Sequence, residues 1–250
     1  MALALALGRW LDPVLDLVFP AVCPVCLVRS DDPAQRPFCG PCWRALPVGL
    51  GPGCPVCGEP FPGLSGSLPC HACRTAPPPY AFARAVAEYR DGMREAIHAL
   101  KFGGRPVLAT PLGRLLGEAG ARALPIRPED WAEGLVPVPL HPARLAERGF
   151  NQADLLAAPC AARWRVPVLS RALIRARATL PQTDLDPAAR RVNVRDAFRV
   201  PRPAAVRDRR LLLVDDVHTT GATAAAAAHA LREAGAAAVG VLTLARVVRR

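Results

Sequence analysis

The feature that most constrains the fold of this chain is a repeat of cysteine pairs near its N-terminus. Eight of the nine cysteines form four Cys-x2-Cys pairs, and each cysteine of the first two pairs recurs 31 residues later. The same four letters, Cys-Pro-Val-Cys, open both halves, so the segment is a duplicated unit. Its cysteines are Cys23, Cys26, Cys39, Cys42, Cys54, Cys57, Cys70 and Cys73.

Paired Cys-x2-Cys turns at this spacing predict metal binding. Each turn places two thiolates on one side of a tight knuckle, and two turns supply the four sulfurs that a structural Zn²⁺ takes. A closed four-sulfur site leaves no position for water, so we expect two structural zinc ions and no catalytic zinc. Pairing within each repeat is the simplest arrangement. Cross-braced pairing, and redox chemistry at one of the turns, are the alternatives.

The composition predicts three regions along the chain. We expect an amphipathic helix over residues 1–19, a double zinc ribbon over 20–75, and an α/β domain over 80–250 that follows a run of three prolines. The first 20 residues lack the charged start and cleavage site of a signal peptide, and Arg9, Asp12 and Asp16 interrupt their apolar run. The sequence therefore predicts a cytoplasmic protein without a membrane span.

The net charge of +11 lies in the region after residue 75. Residues 1–75 hold five arginines and five acidic residues, which leaves 27 basic and 16 acidic residues in the rest. A basic domain attracts polyanions such as a sugar diphosphate or a nucleic acid, and charge alone does not distinguish them. Aromatic residues make up 5% of the chain, so single-strand stacking platforms are few. The candidates are Trp131, Trp164, Phe150 and Tyr89.

Beyond residue 80, strand and helix patterns alternate, which predicts a mostly parallel sheet with helices on both faces. We expect strands near 85–90, 135–139, 166–169, 211–214 and 238–245, and helices near 92–102, 108–123, 152–164 and 222–234. The stretch from Leu211 to Val214 is continuously apolar, as in a central strand that is buried on both faces.

The residues that follow this apolar stretch predict a binding site. Asp215 and Asp216 come directly after it, at the sheet edge where open α/β proteins bind ligands. The small residues after them open a helix, and its N-terminal amides and the threonine hydroxyls can surround a phosphate. These residues are Thr219, Thr220, Gly221, Ala222 and Thr223. Carboxylates beside a phosphate suit sugar hydroxyls and Mg²⁺, so we predict a ribose 5-phosphate site; a solvent-facing turn with helix-capping threonines is the alternative.

The stretch Leu211–Thr223 resembles the signature of type I phosphoribosyltransferases. Further motifs, together with the preceding zinc ribbons, resemble the ComF family of competence-associated proteins over essentially the whole chain. They are Val136–His141 (VPVPLH), Arg148–Gln152 (RGFNQ), Thr179 with Gln182, and Arg190 with Asn193. The resemblance implies a type I phosphoribosyltransferase-like α/β fold whose ligand is 5-phosphoribosyl-1-diphosphate (PRPP).

The resemblance also implies roles for individual residues. Asp215 and Asp216 would contact the ribose hydroxyls, and Thr219 to Thr223 would hold the 5-phosphate. By position, Leu140 to Arg144, with His141, would form the diphosphate loop. Arg177 and Gln182 belong to a segment, Arg175–Asn193, that resembles a loop closing over the reaction centre. Lys101 stands where ComF relatives carry lysine, whereas His218 replaces an aliphatic residue of the signature.

Three functions are compatible with these patterns. The first is a phosphoribosyltransferase that releases diphosphate from PRPP with Mg²⁺, for an acceptor that no motif specifies. The second is a noncatalytic regulator that binds PRPP. The third, which the ComF resemblance implies, is a protein for competence and DNA uptake that handles single-stranded DNA beside a helicase-like uptake ATPase.

Overall fold

A computed structural model describes residues 22–30, 35–60, 68–177 and 197–248 of the chain. The expected N-terminal helix over residues 1–19 lies outside these residues. Two short helices, α1 (Gly40–Arg44) and α2 (His71–Thr75), lie in the cysteine-rich segment, one in each repeat. The α/β region begins at the first strand that follows them.

Four parallel strands form the main sheet, in the order β1-β6-β5-β2. Numbered along the chain, they are β1 (Phe82–Glu88), β2 (Gly134–Pro137), β5 (Arg210–His218) and β6 (Ala238–Arg246). A separate antiparallel pair joins β3 (Ile174–Arg175) and β4 (Phe198–Arg199). The central strands β5 and β6 are almost wholly buried, as the apolar run at Leu211 predicted.

Helices cover both faces of the sheet. On one face lie α3 (Asp91–Phe102), α4 (Ala109–Ala123) and α7 (Gln152–Trp164), and on the other lies α8 (Ala222–Glu233). The short helices α5 (Pro128–Trp131) and α6 (Pro142–Arg148) flank β2. Alternate residues of β5 enter the two cores: Leu212 and Val214 pack on the α3 face, Leu211 and Leu213 on the α8 face. The expected α/β class is confirmed.

Two strand predictions differ from the structure. The strand expected at 166–169 is reduced to one parallel bridge between Leu135 and Val168. The strand expected to end at Val214 continues to His218, because β6 still pairs with it there although β2 has ended. Both aspartates therefore lie within β5, where hydrophobicity alone would not place them. No helix in the described ranges is long and apolar enough to cross a bilayer.

Candidate ribose-phosphate and zinc sites

The loops that follow β2 and β5 both lie at the carboxyl edge of the sheet. These strands are neighbours, yet the chain leaves β2 for α7 on one face and leaves β5 for α8 on the opposite face. Adjacent strands with diverging connections open the crevice in which open α/β sheets bind ligands. The expected ribose and phosphate residues lie on the β5 side, and Leu140 and His141 lie on the β2 side.

Asp216 is a buried carboxylate with one unsatisfied oxygen. Its side chain is 3% exposed, and its Oδ1 atom lies 2.8 Å from Nζ of Lys101 in the last turn of α3. Burial disfavours the ammonium of Lys101, but the charge of Asp216 and the hydrogen bond to it, together with the charge of Asp215, raise the pKa of Lys101. The Oδ2 atom has no hydrogen-bond partner within the described residues. A buried polar atom of this kind calls for a partner from outside the chain.

Asp215 is a buried carboxylate in an environment that favours a bound cation. Its Oδ1 atom accepts a hydrogen bond from the backbone amide of Asp216 at 2.8 Å. Burial, and then the neighbouring charge of Asp216, raise the pKa of Asp215 to about 7. Mg²⁺ binds carboxylate oxygens, and a cation would relieve the repulsion between the two acids. The pair therefore fits the metal that the sequence predicted beside a sugar phosphate.

The loop from Thr219 to Thr223 turns sharply into the first turn of α8. Gly221 has φ = +78°, and a Cβ atom there would lie 2.9 Å from Nε2 of His218. Glycine is thus required by both backbone conformation and close approach. The amide of Ala222 donates to Oγ1 of Thr220 at 3.4 Å. Helix α8 has 12 residues and begins after Gly221, beside the two carboxylates. Its N-terminal amides can bind a phosphate.

His218, which departs from the signature, lies beneath this loop. Its side chain is buried, and burial, then the charge of Arg246, lower its pKa to about 3. The imidazole is therefore neutral at physiological pH and packs against Gly221.

The expected diphosphate loop at Leu140–Arg144 is shorter than the sequence suggested. Residues from Pro142 onward form α6, because Pro142 suits the first helical position and His141 caps the helix. Nδ1 of His141 accepts a hydrogen bond from the amide of Ala143 at 3.3 Å, which leaves Nε2 as the nitrogen that can donate to a ligand. Arg144 is exposed and pairs with Glu147 at 2.7 Å.

The segment expected to close over the crevice is only partly described. Arg177 is exposed, and Gln182, with Thr179, Arg190, Arg191 and Asn193, lies outside the described residues. Arg175 lies 5.6 Å from the ring centroid of Phe198. Burial lowers the pKa of Arg175, and the charge of Asp215 opposes this effect. The start of the segment therefore lies within electrostatic range of the acidic pair.

The sequence analysis did not identify the exposed aromatic residue that follows Lys101 in the chain. Phe102 is 65% exposed, and the guanidinium of Arg148 lies 5.4 Å from its ring centroid. The aromatics expected as stacking platforms are less accessible: Trp164 is buried and Trp131 packs against Phe82. The sequence did contain a signal for Phe102, because it is an aromatic residue at the end of an amphipathic helix that reaches the binding edge.

The eight cysteines form two four-sulfur clusters, one from each repeat. Within each cluster the sulfur atoms all lie within 4.8 Å of one another. The distance from Cys26 Sγ to Cys39 Sγ is 3.6 Å, and that from Cys57 Sγ to Cys70 Sγ is 3.7 Å. Four sulfurs about 2.3 Å from a tetrahedral Zn²⁺ are about 3.8 Å apart, so both clusters fit zinc. The ligands group sequentially and are not cross-braced.

Backbone amides prepare the knuckles for a metal. The amides of Cys57 and Cys70 donate to Sγ of Cys54 at 3.4 and 3.3 Å. Burial opposes ionisation of Cys54, but these amides lower its pKa to about 6, so the thiolate form that zinc requires is favoured. The ninth cysteine, Cys160, is the opposite case: burial raises its pKa to about 12 and it remains a thiol.

Comparison with known proteins matches the cysteine-rich segment to a family model and gives relatives over most of the chain. The double zinc ribbon domain model matches residues 14–74. DNA utilization protein YhgH of Escherichia coli K12 is 39% identical over 195 residues, which cover 78% of this chain and 84% of the relative. Competence protein ComFC of Bacillus subtilis is 31% identical over 212 residues, or 83% of each chain.

One of the similar solved structures matches part of this chain. It is a glutamine PRPP amidotransferase from B. subtilis complexed with ADP and GMP, with a TM-score of 0.40 and 22% identity. The overlap covers 59% of this chain and 30% of the amidotransferase chain. The family assignment rests on the relatives that match most of the chain. Because the chain has a double zinc ribbon and is 31% identical to ComFC over most of both chains, it belongs to the ComF family.

Proposed function

We propose that the chain binds PRPP with Mg²⁺ in the crevice between β2 and β5, and that it serves DNA utilization as a phosphoribosyltransferase-like protein. The observation that carries the proposal is the acidic pair at the end of β5. Asp216 retains an unpaired buried oxygen, and Gly221 at the head of α8 follows five residues later. The two carboxylates, which can bind a diol and a cation, thus lie next to the N-terminal amides of α8, which can bind a phosphate.

In this proposal each half of the crevice binds a different part of the ligand. Asp215 and Asp216 accept hydrogen bonds from the ribose hydroxyls and hold Mg²⁺, while the loop Thr219–Thr223 binds the 5-phosphate. Leu140 and His141, after β2, face the diphosphate. Lys101 holds the carboxylate of Asp216 in place through their 2.8 Å ion pair. The basic residues that border the crevice, such as Arg148 and Arg175, supply positive charge for a polyanionic ligand.

Transfer would break the bond between ribose C1 and the diphosphate and form a bond between C1 and an acceptor. Positive charge develops at C1 and negative charge on the leaving group, so no protein nucleophile is needed. Mg²⁺, when bound, would neutralise charge on the diphosphate. The chain's own contribution is to fix the ribose and phosphate and to surround the leaving group with guanidinium groups.

Calorimetric titration with PRPP and Mg²⁺ tests the binding step. We expect the double variant D215N/D216N to lose binding, while D130N, which alters an exposed acid in α5, should bind as the wild type does. Because the pKa of Asp215 is raised to about 7, its carboxylate gains charge as pH rises through neutrality, and binding should tighten from about pH 6 to about pH 8. Equal affinity of wild type and double variant would refute the assignment.

Release of diphosphate from PRPP, measured across a panel of nucleobases and amines, tests the transfer step. Turnover that disappears in D215N/D216N would support a transferase. Tight PRPP binding without release of diphosphate for any acceptor in the panel would instead favour a noncatalytic regulator that binds PRPP.

The role in DNA utilization rests on the names of the relatives and on the exposed aromatic at the binding edge. Phe102 and Arg148 offer a ring and a cation to a single strand. We expect single-stranded DNA to bind with an affinity that falls steeply with salt, and the F102A variant to bind more weakly. If single-stranded DNA does not bind at low salt, the proposal that the chain contacts DNA directly is wrong.

A further inference from the structure

The second zinc knuckle is fastened to the α/β domain through three consecutive backbone carbonyls. The carbonyl of Pro55 accepts from Nη2 of Arg84 at 2.9 Å, and that of Val56 accepts from the amide of Ala83 at 2.6 Å. The carbonyl of Cys57, itself an expected zinc ligand, accepts from Nη1 of Arg246 at 2.6 Å. The knuckle that zinc would hold rigid is therefore in direct contact with β1 and β6.

Arg246 connects this knuckle to the carboxyl edge of the sheet. It is the last residue of β6 and is 5% exposed. Its Nε atom donates to Oε2 of Glu59 at 3.0 Å, and its Nη2 atom pairs with the same oxygen. Removing one partner of a buried pair leaves the other without compensation, so the arginine depends on the knuckle for its position.

The opposite side of Arg246 adjoins the phosphate loop. In the pairing of β5 with β6, Arg246 is the partner of His218, and the amide of Val247 donates to the carbonyl of His218 at 3.0 Å. The imidazole of His218 and the hydroxyl of Tyr80 both lie close to Gly221. Contacts thus run without a gap from the second knuckle through Arg246 and His218 to the loop.

We infer that the Arg246–Glu59 pair positions the loop Thr219–Thr223, so that the second zinc ribbon controls affinity for the phosphate. The first ribbon lacks the equivalent contact: Val28 stands where the second repeat has Glu59, and it is 61% exposed. Arg246 acts through His218 and Gly221 and is a positioning residue. The part of this inference that concerns ligand affinity rests on the function proposed above.

Hydrogen exchange of the full-length, zinc-loaded chain tests the positioning without any ligand. We expect R246Q and E59Q to exchange faster than wild type by about tenfold in residues 219–225, which include the Ala225 amide that donates to Gly221. R246K, which keeps the charge, should lie between R246Q and wild type. E129Q removes an exposed ion pair with Arg127 and serves as the control. Exchange at β2 should not change.

Calorimetry with PRPP and Mg²⁺ on the same variants completes the test. We expect two zinc ions per chain to be retained and the affinity of R246Q to fall about five- to tenfold. If R246Q does not fold, E59Q carries the comparison, since it retains the hydrogen bond from Arg246 to Cys57. Wild-type protein that fails to bind PRPP refutes the proposed function, and the exchange result still decides the positioning. Unchanged exchange in residues 219–225 of both variants, with zinc retained, would overturn the inference.

Discussion

The two cysteine repeats have the same local structure but contact the α/β domain by different means. In each, the amide of the first cysteine donates to a carbonyl five residues later: Cys23 to Val28 at 2.9 Å, and Cys54 to Glu59 at 2.8 Å. The residue after each knuckle has a left-handed backbone, with φ = 61° at Leu27 and 71° at Gly58. The duplicated sequence therefore forms a duplicated knuckle.

The cysteine turns of the first repeat are anchored by apolar side chains, and its residues 47–49 form backbone hydrogen bonds with β1. The second knuckle is anchored by its own backbone carbonyls and by an ion pair. Phe38 is buried in the main core and lies 5.1 Å from Trp43 between ring centroids. The corresponding residues of the second repeat, 31 positions on, are Pro69 and Arg74. Once metal ligands maintain the knuckle, the residues between them are free to diverge, and each copy has acquired its own contact with the sheet.

Removing one zinc ligand from each repeat should have the largest effect and should separate the two anchors. Loss of structural zinc costs about 10–16 kcal/mol in zinc-finger peptides, so we expect C42S and C73S each to retain one zinc and to unfold one repeat locally. In C73S the amide of Ala83 loses its acceptor, the carbonyl of Val56, and should exchange quickly. In C42S it should stay protected. Zinc content and hydrogen exchange measure both outcomes, and equal protection of Ala83 would contradict the comparison.

Truncating the aromatic anchor of the first repeat should have the next largest effect. Because Phe38 is fully buried, we expect F38A to lower the free energy of unfolding by about 3–5 kcal/mol. The matched variant P69A changes the equivalent, partly exposed residue and should cost less than about 1 kcal/mol. Urea denaturation gives both values. Similar losses would mean that the two repeats are anchored alike.

The glycine of the second knuckle should tolerate substitution less well than its counterpart in the first. A Cβ atom at Gly58 would overlap the carbonyl oxygen of Ala83, and the backbone there is left-handed. We expect G58A to destabilise the chain by about 2–4 kcal/mol. L27A places the same residue at the equivalent position, where the native side chain is exposed, and should change stability by less than about 0.5 kcal/mol. A tolerated G58A would show that the second knuckle can move away from β1.

Local sequence predicted the parts of the molecule that depend on local spacing. The zinc clusters follow from ligand spacing, and the loop before α8 follows from an apolar strand, two acids and a glycine. The extension of β5 to His218 depends on pairing with β6, and the start of α6 depends on His141 acting as a cap. The contact of Arg246 with Glu59 joins residues 187 positions apart, and no local pattern signals it. Apart from this local cap at His141, what the sequence missed is contact between distant segments.

The smallest expected effect concerns the residue at which the first knuckle departs from glycine. Leu27 has φ = 61° and is 71% exposed. Its left-handed backbone therefore destabilises the folded state, and burial of its side chain does not offset this. That cost is about 1–2 kcal/mol, and glycine recovers it at the expense of a more flexible unfolded state. We therefore expect L27G to stabilise the chain by about 0.5–1 kcal/mol in urea denaturation, with L27N, which also tolerates this conformation, showing a smaller gain. A loss of stability in L27G would instead indicate that the leucine side chain contributes contacts to the first repeat, which would make the two knuckles less alike than their backbones suggest.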